Sequence, residues 1–266
     1  MFAIPLVVYT LYAAVMYQKQ LQILFPGAST QHHPFNRTLP SYAREVEVPV
    51  SFGKARFIFL PSETTMATTA VIFAHGNFDR ASDFAEPLHA LSKRGVAVVS
   101  LEYPGYDGAD GSPTFDELNE SAIAVYDWLA RECAADRPAL VGVGYSMGGG
   151  IIAELTRHRP LDGLALLSTY TSIADMANRF ALPTSLVRLP FDTLARVESF
   201  SGPVFVQHGL KDSVIPFRYG LRLATAAHAT FIPMSCGHAD CDFGATIFPN
   251  ALPDWLIAQR LLIPRD

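Results

Sequence analysis

Six short apolar runs, separated by longer stretches with helical periodicity, constrain the fold more than any other feature of this chain. They lie at Ala70–Ala74, Val96–Ser100, Ala139–Val143, Leu164–Leu167, Val204–Gln207 and Thr230–Ile232. Strands apolar along nearly their whole length are what a parallel sheet covered on both faces requires, because neither side meets water. Between two of them, Thr114-x-x-Glu117 has the form of a capping box, and Phe115, Leu118, Ala122, Val125 and Leu129 recur on one helical face. Upstream, Val46, Val48 and Val50 alternate and Phe57–Leu60 follows, which predicts an opening pair of strands. Strand and helix alternating at this rhythm make an α/β fold with a mostly parallel central sheet and helices on both faces.

Composition narrows the function classes. Half of the 266 residues are hydrophobic and 17% are charged, which excludes a disordered chain; 18 Gly and 19 Pro without a period exclude a fibrous one. The net charge is −5, and no basic run of five or more residues exists to hold a nucleic acid. Three cysteines, Cys133, Cys236 and Cys241, are too few for a disulfide scaffold; the last two, five apart around Gly-His, could bridge, with two ordinary thiols the favoured reading. His32-His33 has no Cys, Asp or Glu at ligand spacing and reads as loop histidines, so no metal site is expected.

The first 18 residues carry no charge, and Phe2–Met16 is almost wholly apolar. This stretch reads as an uncleaved N-terminal anchor over residues 1–18, since it approaches the length that crosses a ~30 Å hydrocarbon layer. The rivals are a cleaved signal, which lacks a basic start and a small-x-small site, and a core helix, which Pro5 in the first turn would tolerate. Lys19 alone does not orient the segment. Residues 19–45 read as a connector rich in turn formers, and 46–266 as one domain.

Gly144-Tyr-Ser146-Met-Gly148 is a G-x-S-x-G pentapeptide. Chance produces one in roughly one chain in ten of this length, so its flanks carry the argument. A predicted strand runs straight into it and Gly148–Leu155 continues as helix, the context of a nucleophile elbow. A serine needs a base to take its proton and a third group to orient that base. His238, just after the last predicted strand, and Asp212, just after Val204–Gln207, stand at strand ends where open α/β sheets build their sites. Asp175 competes as the acid, and His75, His208 and His228 as bases. His75 and His208 have the look of structural or oxyanion-side residues, His228 of a helix end, and Asp240 of a loop hydrogen-bonder. For the oxyanion hole, Met147 offers the backbone N–H after the serine and Asn77 the second, with Phe78 one residue further.

Taken in order, Gln22–Gly27 after the apolar segment, His75-Gly76-Asn77, Glu102–Tyr106, the pentapeptide, Tyr170–Asp175, His208-Gly-x-x-Asp212 and Gly237-His238 resemble the α/β-hydrolase superfamily. Within it they are similar to small membrane-anchored serine hydrolases grouped with serine aminopeptidase or prolyl-oligopeptidase-type domains. The resemblance implies Ser146 as nucleophile, Asp212 as acid and His238 as base, Asn77 and Met147 at the oxyanion hole, and no metal or cofactor. The segment 168–202 corresponds to a short helical lid, too small for the amino-terminus recognition of an aminopeptidase. The tail after Cys241 is broken by prolines and less regular than the family's closing helix. The expected activity is cleavage of a carboxylic ester or thioester, the substrate being small or lipid-like and the enzyme membrane-attached. The alternatives are an aminopeptidase-type amide hydrolase and a catalytically silent membrane-bound interaction protein on the same fold.

Overall fold

A computed structural model of the chain describes residues 3–29, 39–64, 67–133 and 138–263. The opening pair is an antiparallel hairpin, β1 (Arg44–Val50) and β2 (Gly53–Leu60), with Val46 opposite Phe57. The six apolar runs are β3 (Thr69–Ala74), β4 (Val96–Leu101), β5 (Ala139–Tyr145), β6 (Gly163–Leu167), β7 (Val204–Gly209) and β8 (Thr230–Met234). All join one sheet in the order β1-β2-β4-β3-β5-β6-β7-β8, with β3 to β8 mutually parallel and β2 antiparallel to β4.

Side-chain alternation divides the core in two. Ala70, Ile72 and Ala74 of β3 face one side, the side covered by α3 (Phe115–Glu132), α4 (Met147–Leu155), α6 (Thr193–Ser199) and α7 (Phe217–Ala226). Val71 and Phe73 face the other, which α2 (Ala85–Lys93) and α8 (Leu252–Ala258) cover through Leu88, Leu91, Trp255 and Leu256. The central strands β3 and β4 are buried along their whole length, which is why they carry no polar alternation. The capping box at α3 is opened out: Thr114 Oγ1 accepts from the Glu117 N–H, but the Glu117 carboxylate reaches the Ser112 N–H instead of that of Thr114. The proline-broken tail does close with a helix, since Pro249 sits in a π-helical turn (Ile247–Ala251) and Pro253 in the first turn of α8, where a missing N–H costs little.

The N-terminal segment departs from expectation. Helix α1 runs from Ala3 to Leu24, through the stretch read as the start of a connector, because Leu21, Leu24 and Phe25 fall on one face and pack into the body. Phe25 is fully buried, edge-on to Tyr103 and Tyr106, and residues 26–29 form a 3₁₀ turn. The rest of the expected connector from 30 to 38, with His32-His33, lies outside the described residues, as do residues 1–2 of the expected anchor.

Among the described residues no helix is long and apolar enough to cross a membrane. The apolar part of α1 ends at Met16, and Gln18, Lys19, Gln20 and Gln22 follow. From Ala3 to Met16 the helix rises only about 21 Å, short of the ~30 Å that a bilayer core demands. The expected single-pass span over residues 1–18 is therefore not found among the described residues.

Candidate active site

The C-terminal ends of β3, β5, β7 and β8 converge at one end of the sheet, and each delivers a piece of the site. Ser146 follows β5 and precedes α4 with φ 51° and ψ −115°, a conformation L residues rarely adopt and one that the surroundings must enforce. Two glycines make it possible. A Cβ at Gly148 would overlap the Ala74 carbonyl, and one at Gly144 would strike the backbone of Gly148 and Gly149. The turn therefore lies against β3 as closely as backbone permits.

The side chains that the sequence singled out come together. Ser146 Oγ lies 2.9 Å from His238 Nε2, and His238 Nδ1 lies 2.7 Å from Asp212 Oδ2. The other carboxylate oxygen of Asp212 accepts from the backbone N–H groups of Val214 and Ile215 at 2.9 and 2.8 Å. Burial pushes the Asp212 carboxyl up, but hydrogen bonds from His208, His238 and Ile215 and the nearby imidazole charge outweigh it and hold the group well below the usual carboxylate range. Asp212 is thus an anion locked in place, able only to accept.

The competitors are occupied elsewhere. Asp175 accepts from Thr171 Oγ1 at 2.5 Å and faces Arg222 at 3.5 Å. His208 is buried on the acid side of the site, not the oxyanion side, with Nε2 donating to the Ile215 carbonyl at 2.8 Å and standing 3.4 Å from Asp212 Oδ2. His228 follows α7 in a left-handed turn, and Asp240 accepts from the Gly237 N–H within its own loop. His75 is buried beneath the loop after β3, its ring stacked on Tyr103 and its nitrogens on the Gly76 carbonyl (2.7 Å) and Glu102 (3.2 Å).

That loop is tied at several points. The Gly76 N–H donates to Asp79 Oδ2, the Asp79 N–H to the Gly76 carbonyl, and Tyr106 Oη to the Asn77 carbonyl. Among the described residues no hydrogen bond uses the amides of Asn77 and Phe78, the two that sequence reasoning left as alternatives. Gly148 N–H is taken by the His75 carbonyl, so Met147 is the remaining amide at the head of α4. Asn77, Phe78, Ser146, Met147 and His238 border one cavity of about 430 Å³.

The cysteine reading is corrected. Cys236 and Cys241 form a disulfide that brackets His238. The Gly237–Asp240 hydrogen bond curls the intervening loop until the two Cα atoms stand 5.2 Å apart, within bridging reach. Cys133 remains a free, buried thiol, and its burial raises it to about 11. Among the described residues no group of three or more His, Cys, Asp or Glu could hold a metal ion.

Residues 71–261 match the family model of the alpha/beta hydrolase family. The chain belongs to that family. The hydrolase is 29% identical over 214 residues to uncharacterized protein Rv2307c of Mycobacterium tuberculosis, covering 79% of this chain and 75% of that one. It is 28% identical over 180 residues to lysophosphatidylserine lipase ABHD12 of Xenopus tropicalis, covering 59% of this chain and 46% of that protein, so it spans about half of that relative's length. Its fold superimposes on the esterase domain of a Rhodothermus marinus protein with a TM-score of 0.65 over 82% of this chain and 98% of that one, at 16% identity.

Proposed function

We propose that this hydrolase cleaves esters, or thioesters, of an apolar acyl group through an acyl-serine intermediate. The observation that carries the reading is the Ser146–His238–Asp212 relay opening into an apolar cavity. His238 takes the Ser146 proton as Oγ attacks the substrate carbonyl, and Asp212 stabilises the imidazolium that results. The negative charge on the carbonyl oxygen falls to the Met147 amide and that of Asn77, which the tied loop holds in place before substrate arrives. His238 then returns the proton to the leaving oxygen or sulfur, and water, deprotonated by the same imidazole, releases the acid.

An aminopeptidase needs an anionic group to meet a substrate ammonium. Among the described residues bordering the cavity there is no carboxylate, which favours the ester reading. Lipid-like esters are the substrate class we favour, and the lipase named among the relatives supports it. The segment 168–202 acts as a small lid within a domain that spans 46–266. Membrane attachment runs through α1, whose outward residues Val7, Val8, Leu11 and Val15 are all more than half exposed. With its other side held against the protein by Tyr9 and Tyr12, the helix presents these residues to a lipid surface.

Replacing Ser146 with Ala should abolish both p-nitrophenyl ester turnover and labelling by a fluorophosphonate probe. Labelling that persists at wild-type level would sink the assignment.

A further inference from the structure

The cavity beside Ser146 has an unexpected wall. Its residues from α1 are Ala13, Met16, Tyr17, Gln20, Ile23 and Leu24, spaced three and four apart along one helical stripe. The facing wall comes from between β6 and β7, where α5 (Ile173–Asn178), the turn after it and a 3₁₀ turn (Thr184–Leu186) contribute Met176, Phe180, Leu182 and Leu186. A membrane tether alone has no need to line a cavity with the same face that it turns to the protein.

The helix is also fastened to that opposite wall by polar contacts at both ends. Tyr9 and Tyr12 donate to the backbone carbonyls of Ala181 and Phe180, each at 2.8 Å. Gln20 donates to the Leu186 carbonyl at 2.9 Å and accepts from the Arg188 N–H at 2.7 Å, while the Arg188 guanidinium lies over the Tyr17 ring. These bonds hold α1 at a fixed distance from the segment 173–188. The groove between them is apolar and runs from the solvent edge to Ser146 and His238.

Resting on the ester-hydrolase reading above, we propose that α1 is the acyl-binding wall of the site. The hydrocarbon chain of the substrate lies between α1 and the segment 173–188, with its carbonyl at Ser146. One helix then has two faces with two tasks: Val7, Val8, Leu11 and Val15 outward to a lipid surface, and Ala13, Met16 and Leu24 inward to the chain being cleaved. Ala13 is the telling position, since it is 8% exposed in an otherwise exposed turn and its small side chain leaves the groove open.

The test uses the full chain, with acetate, octanoate and palmitate p-nitrophenyl esters. Ala13→Trp should lower the palmitate-to-acetate ratio of kcat/KM by about tenfold or more, the loss expected when two or so methylenes can no longer be buried. Met16→Phe should give a smaller shift in the same direction and serves if the tryptophan variant fails to fold. Fluorophosphonate labelling reports that the serine relay is intact in each variant. A second readout needs no turnover: cis-parinaric acid binding to the Ser146→Ala protein should weaken by a comparable factor when Ala13→Trp is added. A chain-length ratio and a fatty-acid affinity that both stay within about twofold of the parent would overturn the α1 wall while leaving the ester reading intact. Absent ester turnover with binding that still responds to Ala13→Trp would overturn the ester reading and retain the wall.

Discussion

Two imidazole–carboxylate pairs lie at the same end of the sheet, and they are built to opposite ends. In His238–Asp212 one ring nitrogen donates to a carboxylate and the other faces the Ser146 hydroxyl, which can donate as well as accept. In His75–Glu102 the ring faces two groups that only accept, the Gly76 carbonyl and the Glu102 carboxylate. Both contacts favour the ring that donates twice, the charged form. Burial works against that charge, but Glu102 outweighs it and holds His75 above the ordinary 6.5. A histidine after a strand and beside a glycine is thus no indication of a base. What decides is whether its second nitrogen meets a group that can give up a proton.

The comparison breaks most sharply at Asp212. Asp212→Asn would present an amide where His238 needs an acceptor, and kcat for a short ester should drop roughly 10³- to 10⁴-fold, the usual consequence of the wrong tautomer. Stability should respond in a definite direction. Because the native carboxyl is held below its ordinary 3.8, the stability it adds is complete above that pH and fades as the solution is acidified through the native value. The gap in urea midpoint between wild type and variant should accordingly be widest near neutrality and shrink in acid. A variant with near-normal turnover would assign the orienting role to another group.

Glu102→Gln attacks the other pair and should leave chemistry largely alone. Glu102 Oε1 accepts from His75 and from the Tyr103 N–H, and Oε2 from the Ala81 N–H. An amide cannot accept at both ends, so at least one buried donor loses its partner, at a cost of about 1–3 kcal/mol. The stability that wild type draws from charged His75 is complete below 6.5 and is lost as pH rises through the raised native value. The variant should show a flatter decline over that alkaline range in urea titrations. Its kcat per folded molecule should fall by less than roughly a hundredfold, the smallest loss that removal of a general acid or base usually brings.

Much of this was readable from residues alone, and the rest hid for identifiable reasons. The strands β3 to β7 announce themselves because burial on both faces leaves long apolar runs, and Ser146 and Asp212 because each follows such a run, whereas His238 follows the partly exposed edge strand β8. The length of α1 was obscured by Gln18, Lys19, Gln20 and Gln22, which look like a connector until Gln20 is seen to bond the backbone at 186 and 188. The Cys236–Cys241 bridge depends on a turn closed by Asp240, and the partnership of His75 with Glu102 joins two strands that only the sheet order makes neighbours. Local pattern locates elements and the groups at their ends. It does not reveal which distant group completes them.

The finest test of the contrast lies in two tyrosines with the same job. Tyr145 Oη donates to the His238 carbonyl at 2.9 Å and Tyr103 Oη to the His75 carbonyl at 2.5 Å, and burial raises both phenols so that they remain donors throughout the working pH range. Each phenylalanine replacement removes one hydroxyl and should lower stability by a similar amount, about 1 kcal/mol. Their effects on turnover should part. Tyr145→Phe loosens the loop that aims His238 at Ser146, and kcat for a short ester should fall by about tenfold at most, with KM little altered. Tyr103→Phe loosens a ring that handles no proton, so its kcat, corrected for folded fraction, should stay within about twofold of wild type. Equal losses in both variants would mean that His75 is coupled to the chemistry after all, through the shared loop that carries Asn77.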